Sequence, residues 1–197
     1  MPIGSNATFA NNKLPETGGT IDTGNWSVAL YIAKDSDPMA TVNTEENGSV
    51  QLKIPDGAVS TGDEDGSVSI IQPDGITAYE FYDFKGSGTT YTAQLYSKVD
   101  LTGTGIATGY PRAAQTSATA GMIRENEWKN GKISHALALS IPRSSLLRYA
   151  PDSNPPKLAY IWPAESQDGG DEDYTGTVPM GSLVAIPSSV DINSLGL

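Results

Sequence analysis

The sequence predicts an all-β protein, a single jelly-roll-like β-sandwich with few short helical turns, and three observations predict it. Short apolar runs are separated by turn residues, with 21 Gly and 13 Pro among 197 residues. Several of those runs alternate apolar and polar side chains, the period-two signature of a strand with one buried face. No segment sustains the 3.6-residue periodicity of an amphipathic helix. The length suits one sizeable core, so the expected organisation is an extended N-terminal arm over residues 1–25 and one sandwich domain over residues 26–197.

Residues 1–25 are polar and turn-rich. They contain LPETG at Leu14–Gly18, which matches a sorting signal that works at a C-terminus, and so has no such role expected here. The first strand is Trp26–Ala33, WSVALYIA, whose near-continuous apolar run predicts burial on both faces. Gly48–Ile54 alternates Val50, Leu52 and Ile54 against Gln51 and Lys53, and Pro55-Asp56-Gly57 ends it as a turn. Ser67–Pro73 is the third strand and Ile76–Phe84 the fourth, joined by Pro73-Asp74-Gly75 as a hairpin. Lys85–Gly88 turns the chain into Thr89–Val99, completing a predicted three-strand meander.

Residues 100–120, rich in Gly, Thr and Ala, have no period, and connections of that length are often functional. Arg124–Asn130 reads as a helical turn closed by Gly131, which tolerates the left-handed backbone just past a helix end. Ile133, His135, Leu137, Leu139 and Ile141 then alternate with smaller residues, which predicts a central strand. Arg143–Tyr149 is expected to make one amphipathic turn, Leu158–Trp162 a strand ended by Pro163, Ser166–Thr177 an acidic loop and Ser182–Ile186 the last strand.

The formal net charge of −11 disfavours nucleic acid as a partner, because phosphate binding needs Lys and Arg to displace counterions. An anionic membrane surface is disfavoured on the same ground. No cysteine is present, which removes thiolate nucleophiles, disulfides and Cys-based zinc sites, and a single histidine removes His-rich metal sites. Hard-oxygen cations are what remains. No apolar run reaches the ~18–20 residues of a membrane-spanning helix, so membrane insertion is not expected. Nor does the N-terminus carry the charged and apolar regions of a signal peptide. Sequons at Asn6, Asn25 and Asn47 are glycan acceptors only in a secretory eukaryotic setting.

Three stretches, GMIRENEWKNGKISHALALSIP (121–142), YIWPAESQDGG (160–170) and VPMGSLVAIPSSVDI (178–192), carry a resemblance. Together they resemble proteins found among secreted actinobacterial exoproteins and bacteriophage minor tail proteins. The segment Asp65–Tyr82 and the start GSNATFANNKLP look like the same group, so the resemblance covers most of the chain. It implies a jelly-roll-like sandwich, extracellular or on a virion, in carbohydrate-linked settings, and no established reaction. Where that pattern has D-G-H this chain has Asp65-Gly66-Ser67, so one acid/base histidine is absent.

Glu80, between aromatics in AYEFY, is a candidate sugar-cleft carboxylate, with Tyr79 and Tyr82 as stacking faces. An outward strand residue paired with a cation fits the same pattern. Arg124 is a candidate carboxylate-binding cation or the partner of a buried acid. His135 suits proton transfer or sugar contact. Desolvated among its aliphatic neighbours it would instead be a neutral structural residue, unless Glu125 or Glu127 pairs with it. Glu80, Arg124 and His135 are thus the candidates for catalysis. With Tyr79, Tyr82 and Trp162 they are the candidates for ligand binding, Trp162 because a proline after it ends a strand at a sheet rim.

No cofactor is expected: Asp168, Asp171 and Asp173 offer oxygen ligands of the kind that suit Ca²⁺, but a solvated acidic loop is the first reading of them. The expected function is therefore a non-enzymatic, acidic virion protein of a bacteriophage, structural or adhesive, a minor tail or head-surface component with carbohydrate binding. Its expected partners are other virion proteins, cell-surface glycan or further copies of itself, and its location the virion or the extracellular space. The alternative is a secreted polysaccharide lyase or glycosidase.

Overall fold

The computed structural model describes residues 7–9, 28–60, 65–104, 109, 112–121, 125–136, 143–148, 159–167 and 174–183. Nine strands are described: β1 (Ala7–Phe9), β2 (Val28–Ile32), β3 (Met39–Thr44), β4 (Gly48–Lys53), β5 (Val68–Ile71), β6 (Thr77–Tyr82), β7 (Lys85–Ser87), β8 (Thr90–Ala93) and β9 (Leu95–Asp100). They form a five-stranded sheet in the order β1-β2-β5-β6-β9 and a four-stranded sheet in the order β4-β3-β8-β7. Two packed sheets make the β-sandwich that the alternating apolar runs predict. Its interior holds Tyr31, Val68, Ile70 and Phe81 from the first sheet against Val42, Leu52, Tyr91 and Ala93 from the second, with Phe84 between Phe81 and Tyr91. Each such aromatic or branched side chain, fully buried, contributes about 1.5–3 kcal/mol.

Most pairs are antiparallel, but β2 and β5 run parallel, as do β3 and β8. The predicted hairpin is present: β5 and β6 pair antiparallel across the turn at Asp74 and Gly75, where Gly75 has φ 72°. The Asp74 carboxylate accepts the backbone N–H groups of Ile76 and Thr77 and the Thr77 hydroxyl, closing the turn from within.

The expected continuous strand Thr89–Val99 is divided at Gln94. Its first half, β8, lies in the four-stranded sheet, and its second half, β9, pairs with β6 in the five-stranded one. The side-chain alternation runs unbroken through this corner, yet its meaning reverses. Tyr91 and Ala93 point into the sandwich from one sheet, whereas Ser97 and Val99, in the same phase, point outward from the facing sheet. A period-two pattern records that a strand has two faces and not which sheet it belongs to. The backbone N–H of Gln94 donates to the Tyr82 carbonyl and its own carbonyl accepts from Glu45 and Glu46, so the corner is tied to both layers.

Three strands, β1, β3 and β7, had no predicted counterpart, β1 lying within the expected arm. In β3, MATVNT, the inward residues are the small Ala40 and the isolated Val42, and β7 consists of three exposed residues, Lys85-Gly86-Ser87. The helical turn is present as α1 (Glu125–Asn130), with Gly131 at φ 62° and the Lys132 N–H bonded 3.1 Å from the Glu127 carbonyl, which caps the helix end.

The predicted central strand after α1 is a correction. Residues 131–136 form no strand, and Ile133 is exposed, while residues 137–141 lie outside the described part. Of the predicted strand Leu158–Trp162, residues 159–162 form an isolated bridge from Tyr160 to Met180 and no strand, and Leu158 lies outside the described residues. Further bridges join Leu146 to Val178 and Leu147 to Gly176, so these later segments are stitched by single pairings. Arg143–Ser145 forms one 3-10 turn. Residues 182 and 183 are not in a strand, and the rest of the expected last strand lies outside the described residues, as does most of the N-terminal arm.

Gly86 tests the sheet edge. Its φ is 122°, and a Cβ there would lie 2.7 Å from the Thr90 carbonyl oxygen and 2.8 Å from Tyr91 Cα. Gly86→Ala is expected to lower stability by about 1–3 kcal/mol through strained backbone, more if β7 cannot shift. Urea denaturation should show a lower midpoint at unchanged slope, and an unaltered midpoint would contradict the assigned β7–β8 contact.

Candidate functional site

The outward face of the five-stranded sheet carries a polar row. Ser69, Glu80 and Ser97 are directly opposed across β5, β6 and β9, and all three are buried. Glu80 is 0% exposed. It is covered by residues 117–119, which turn over the sheet and present donors to it. Glu80 Oε1 accepts the Ser117 hydroxyl at 2.6 Å and the Thr119 N–H at 3.0 Å, and the Thr119 hydroxyl lies at 3.0 Å from the same oxygen. Oε2 accepts the Ala118 N–H at 2.7 Å. A carboxylate only accepts, and each of these groups donates, so the buried acid and the turn satisfy one another. Ser97 adds a second tie, donating to the Gly109 carbonyl at 2.5 Å.

A cleft of about 240 Å³ opens beside this anchor, lined by Asp100, Thr104, Ser117, Thr119 and His135 among others. Glu80 is not in its lining. Ser117 and Thr119 are in it, so the carboxylate lies one layer behind the wall and holds that wall in place.

His135 Nε2 lies 3.0 Å from Glu127 Oε2 on α1, and Nδ1 lies 2.8 Å from the Ala136 carbonyl oxygen. Both ring nitrogens therefore face an oxygen, one on α1 and one on the following peptide, so the imidazole is held from two sides. The expected neutral histidine among aliphatic neighbours is thus replaced by the paired arrangement with Glu127. The reason is local: residues 131–136 form no strand, and His135 is held by α1 and by the Ala136 carbonyl, part-buried at the cleft.

Asp100, also in the cleft lining, is held below the ordinary aspartate value of 3.8, first by the Thr102 hydroxyl at 2.6 Å and then by the Thr102 N–H at 2.8 Å. Asp74 is lowered likewise, with the Thr77 N–H as first cause.

The structure separates the other candidates. Tyr79 is on the inner face, packed toward Tyr96 at 6.2 Å, so it shares no surface with Glu80. Tyr82 is half-buried and follows Glu80 on the outward side. Glu80 itself is neither an open sugar-cleft carboxylate nor an outward residue paired with a cation, because its partners are hydroxyls and backbone amides.

Trp162 is 76% exposed at a turn closed by the Ala164 N–H on the Ile161 carbonyl at 2.9 Å; its bond to Pro163 is cis. Arg124, Asp168, Asp171 and Asp173 lie outside the described residues. Among the described residues no group of three acidic or histidine side chains is placed to hold a metal ion. Sequence reasoning passed over Ser69, Ser97, Ser117 and Thr119. A signal existed for two of them: Ser69 and Ser97 break otherwise apolar outward positions at the same register as Glu80.

No family model, curated protein or solved structure matches this chain.

Two outcomes follow from the site. Glu80→Gln keeps the volume but sets an amide N–H₂ against backbone donors, and is expected to cost about 2–4 kcal/mol, with loss of hydrogen-exchange protection at residues 117–119. Wild-type stability in that variant would show that the carboxylate is not the anchor. The Asp100 carboxyl should titrate below 3.8 by NMR. Its folded value is depressed, so its contribution is complete above the unfolded value of ~3.9 and is lost as pH falls through the folded one. Thr102→Ala should move the midpoint upward, and an unmoved midpoint would remove the assigned cause.

Proposed function

We propose that the protein is a non-enzymatic structural or adhesive module of a bacteriophage virion, a minor tail or head-surface component, which contacts glycans through Trp162. The observation that carries this reading is the presentation of Trp162. A large aromatic ring stands 76% exposed beside the partly exposed Ile161, on a turn fastened at both ends. Ile161 N–H donates to the Met180 carbonyl at 2.8 Å and Glu165 N–H to the Ala114 carbonyl at 3.1 Å. Gly181 packs so closely that a Cβ there would fall 2.0 Å from the Ile161 carbonyl oxygen. Aromatic faces stack on pyranose rings, and a pre-positioned ring loses little entropy on binding. The internal use of Glu80 and the resemblance to minor tail proteins support the same reading.

A second reading, a secreted polysaccharide lyase or glycosidase, is favoured by His135 at the 240 Å³ cleft. It is weakened by Glu80, which stands behind the cleft wall.

Calorimetric titration with soluble bacterial-surface glycans decides between contact surfaces. Trp162→Ala is expected to weaken binding roughly tenfold or more, about 1.4 kcal/mol, with an unchanged circular dichroism spectrum. Equal binding by the variant would remove Trp162 from the reading, and release of reducing ends or unsaturated uronates, lost in His135→Ala, would establish the enzyme instead. Mass spectrometry of purified particles tests the virion assignment, and absence from every preparation would refute it.

A further inference from the structure

We propose that Asn130, the last residue of α1, is a site of spontaneous deamidation, and that the other Asn-Gly pair, Asn47–Gly48, is protected by the fold. The sequence gives both pairs the same intrinsic reactivity. In the reaction the glycine backbone nitrogen, after losing its proton to base, attacks the asparagine side-chain carbon Cγ. A C–N bond forms, the Cγ–Nδ2 bond breaks, and ammonia leaves after taking a proton from solvent. Water then opens the five-membered imide at either carbonyl, yielding aspartate or isoaspartate with no change of oxidation state. Glycine permits the attack because no side chain hinders its nitrogen.

The structure separates the two sites. The Asn47 carboxamide is clamped between β3 and β9: Nδ2 donates to the Tyr96 carbonyl at 2.6 Å, and Oδ1 accepts the Tyr96 N–H at 3.2 Å and the Thr44 hydroxyl at 2.9 Å. Those bonds must break before Cγ can swing onto the Gly48 nitrogen. Asn130 is exposed, and its side chain makes no hydrogen bond among the described residues. It terminates a helix of six residues, and helix ends fray, which lets the backbone reach the attack geometry.

The position gives the modification a consequence. A new carboxylate would stand at the negative end of the α1 dipole. Isoaspartate would lengthen the backbone by one methylene between Glu127 and Lys132, beneath the bond from Lys132 N–H to the Glu127 carbonyl. Because Glu127 also holds His135 at 3.0 Å, the modification acts on the cleft wall.

The test is peptide mapping by mass spectrometry of the full chain incubated at mildly alkaline pH, folded and in denaturant. In the folded protein Asn130 is expected to convert roughly tenfold or more faster than Asn47, the equivalent of losing about one to two hydrogen bonds' protection. In denaturant the two rates should converge, and Asn130→Gln should abolish conversion at 130 without changing Asn47. Equal rates in the folded protein, faster conversion at Asn47, or a rate ratio that persists in denaturant would each overturn the proposal.

Discussion

The buried Glu80 carboxylate ties the β-sandwich to residues 117–119 that follow it, with the Ser97 hydroxyl on the Gly109 carbonyl as a second tie. The β-sandwich between β1 and β9 has its own apolar interior, but the segment that follows, rich in Gly, Thr and Ala, brings little apolar surface with which to adhere. Polar ties hold it instead, those of Glu80 foremost. Isolated burial of a charge costs several kcal/mol, and here the cost is offset by hydroxyl and amide donors converging from residues 117–119. The alternative to this contact, an unpaired acid under an unanchored loop, is far worse than the pair, so the arrangement locks one conformation of the connection. Once the turn is seated, Ser117 and Thr119 form a wall, and the cleft beside His135 exists because that wall is fixed.

The sandwich prepares this anchor through its corners. At Asp83 and again at Gln94 the chain leaves one sheet for the other, and the excursion through β7 and β8 returns β9 to the side of β6. That return places Ser97 opposite Glu80 and brings the following loop over the outward face of the sheet. The small secondary cluster of Ala78, Val99, Ile71 and Leu101 lies on the same face, so a modest apolar patch surrounds the polar row and excludes water from it.

The chemistry-bearing side chains divide by accessibility. Glu80 is inside, His135 is committed to Glu127 and to the backbone at the cleft edge, and Trp162 is outside on a fastened turn. The division follows from the fold: the outward face of the sheet is covered by residues 117–119, His135 lies beside the cleft, and the turn at Trp162 leaves its ring exposed.

What the sequence determined by itself was local. Alternation in Val50, Leu52 and Ile54, the turns at Asp56-Gly57 and Asp74-Gly75, and the close of α1 at Gly131 follow from side-chain periodicity and glycine's tolerance of positive φ, which act within a few residues. The all-β class follows from their sum. Tertiary structure decided the rest. Which sheet received each half of residues 89–99 depended on partners far along the chain, and so reversed the inward face without changing the pattern. The alternation at 133–136 lacked a neighbouring strand among the described residues and formed none. Glu80 reads the same in sequence whether it faces a sugar or a buried turn. Only the approach of Ser117, Ala118 and Thr119, nearly forty residues away, chose between them, because hydrogen bonds are made by distance in space and not along the chain.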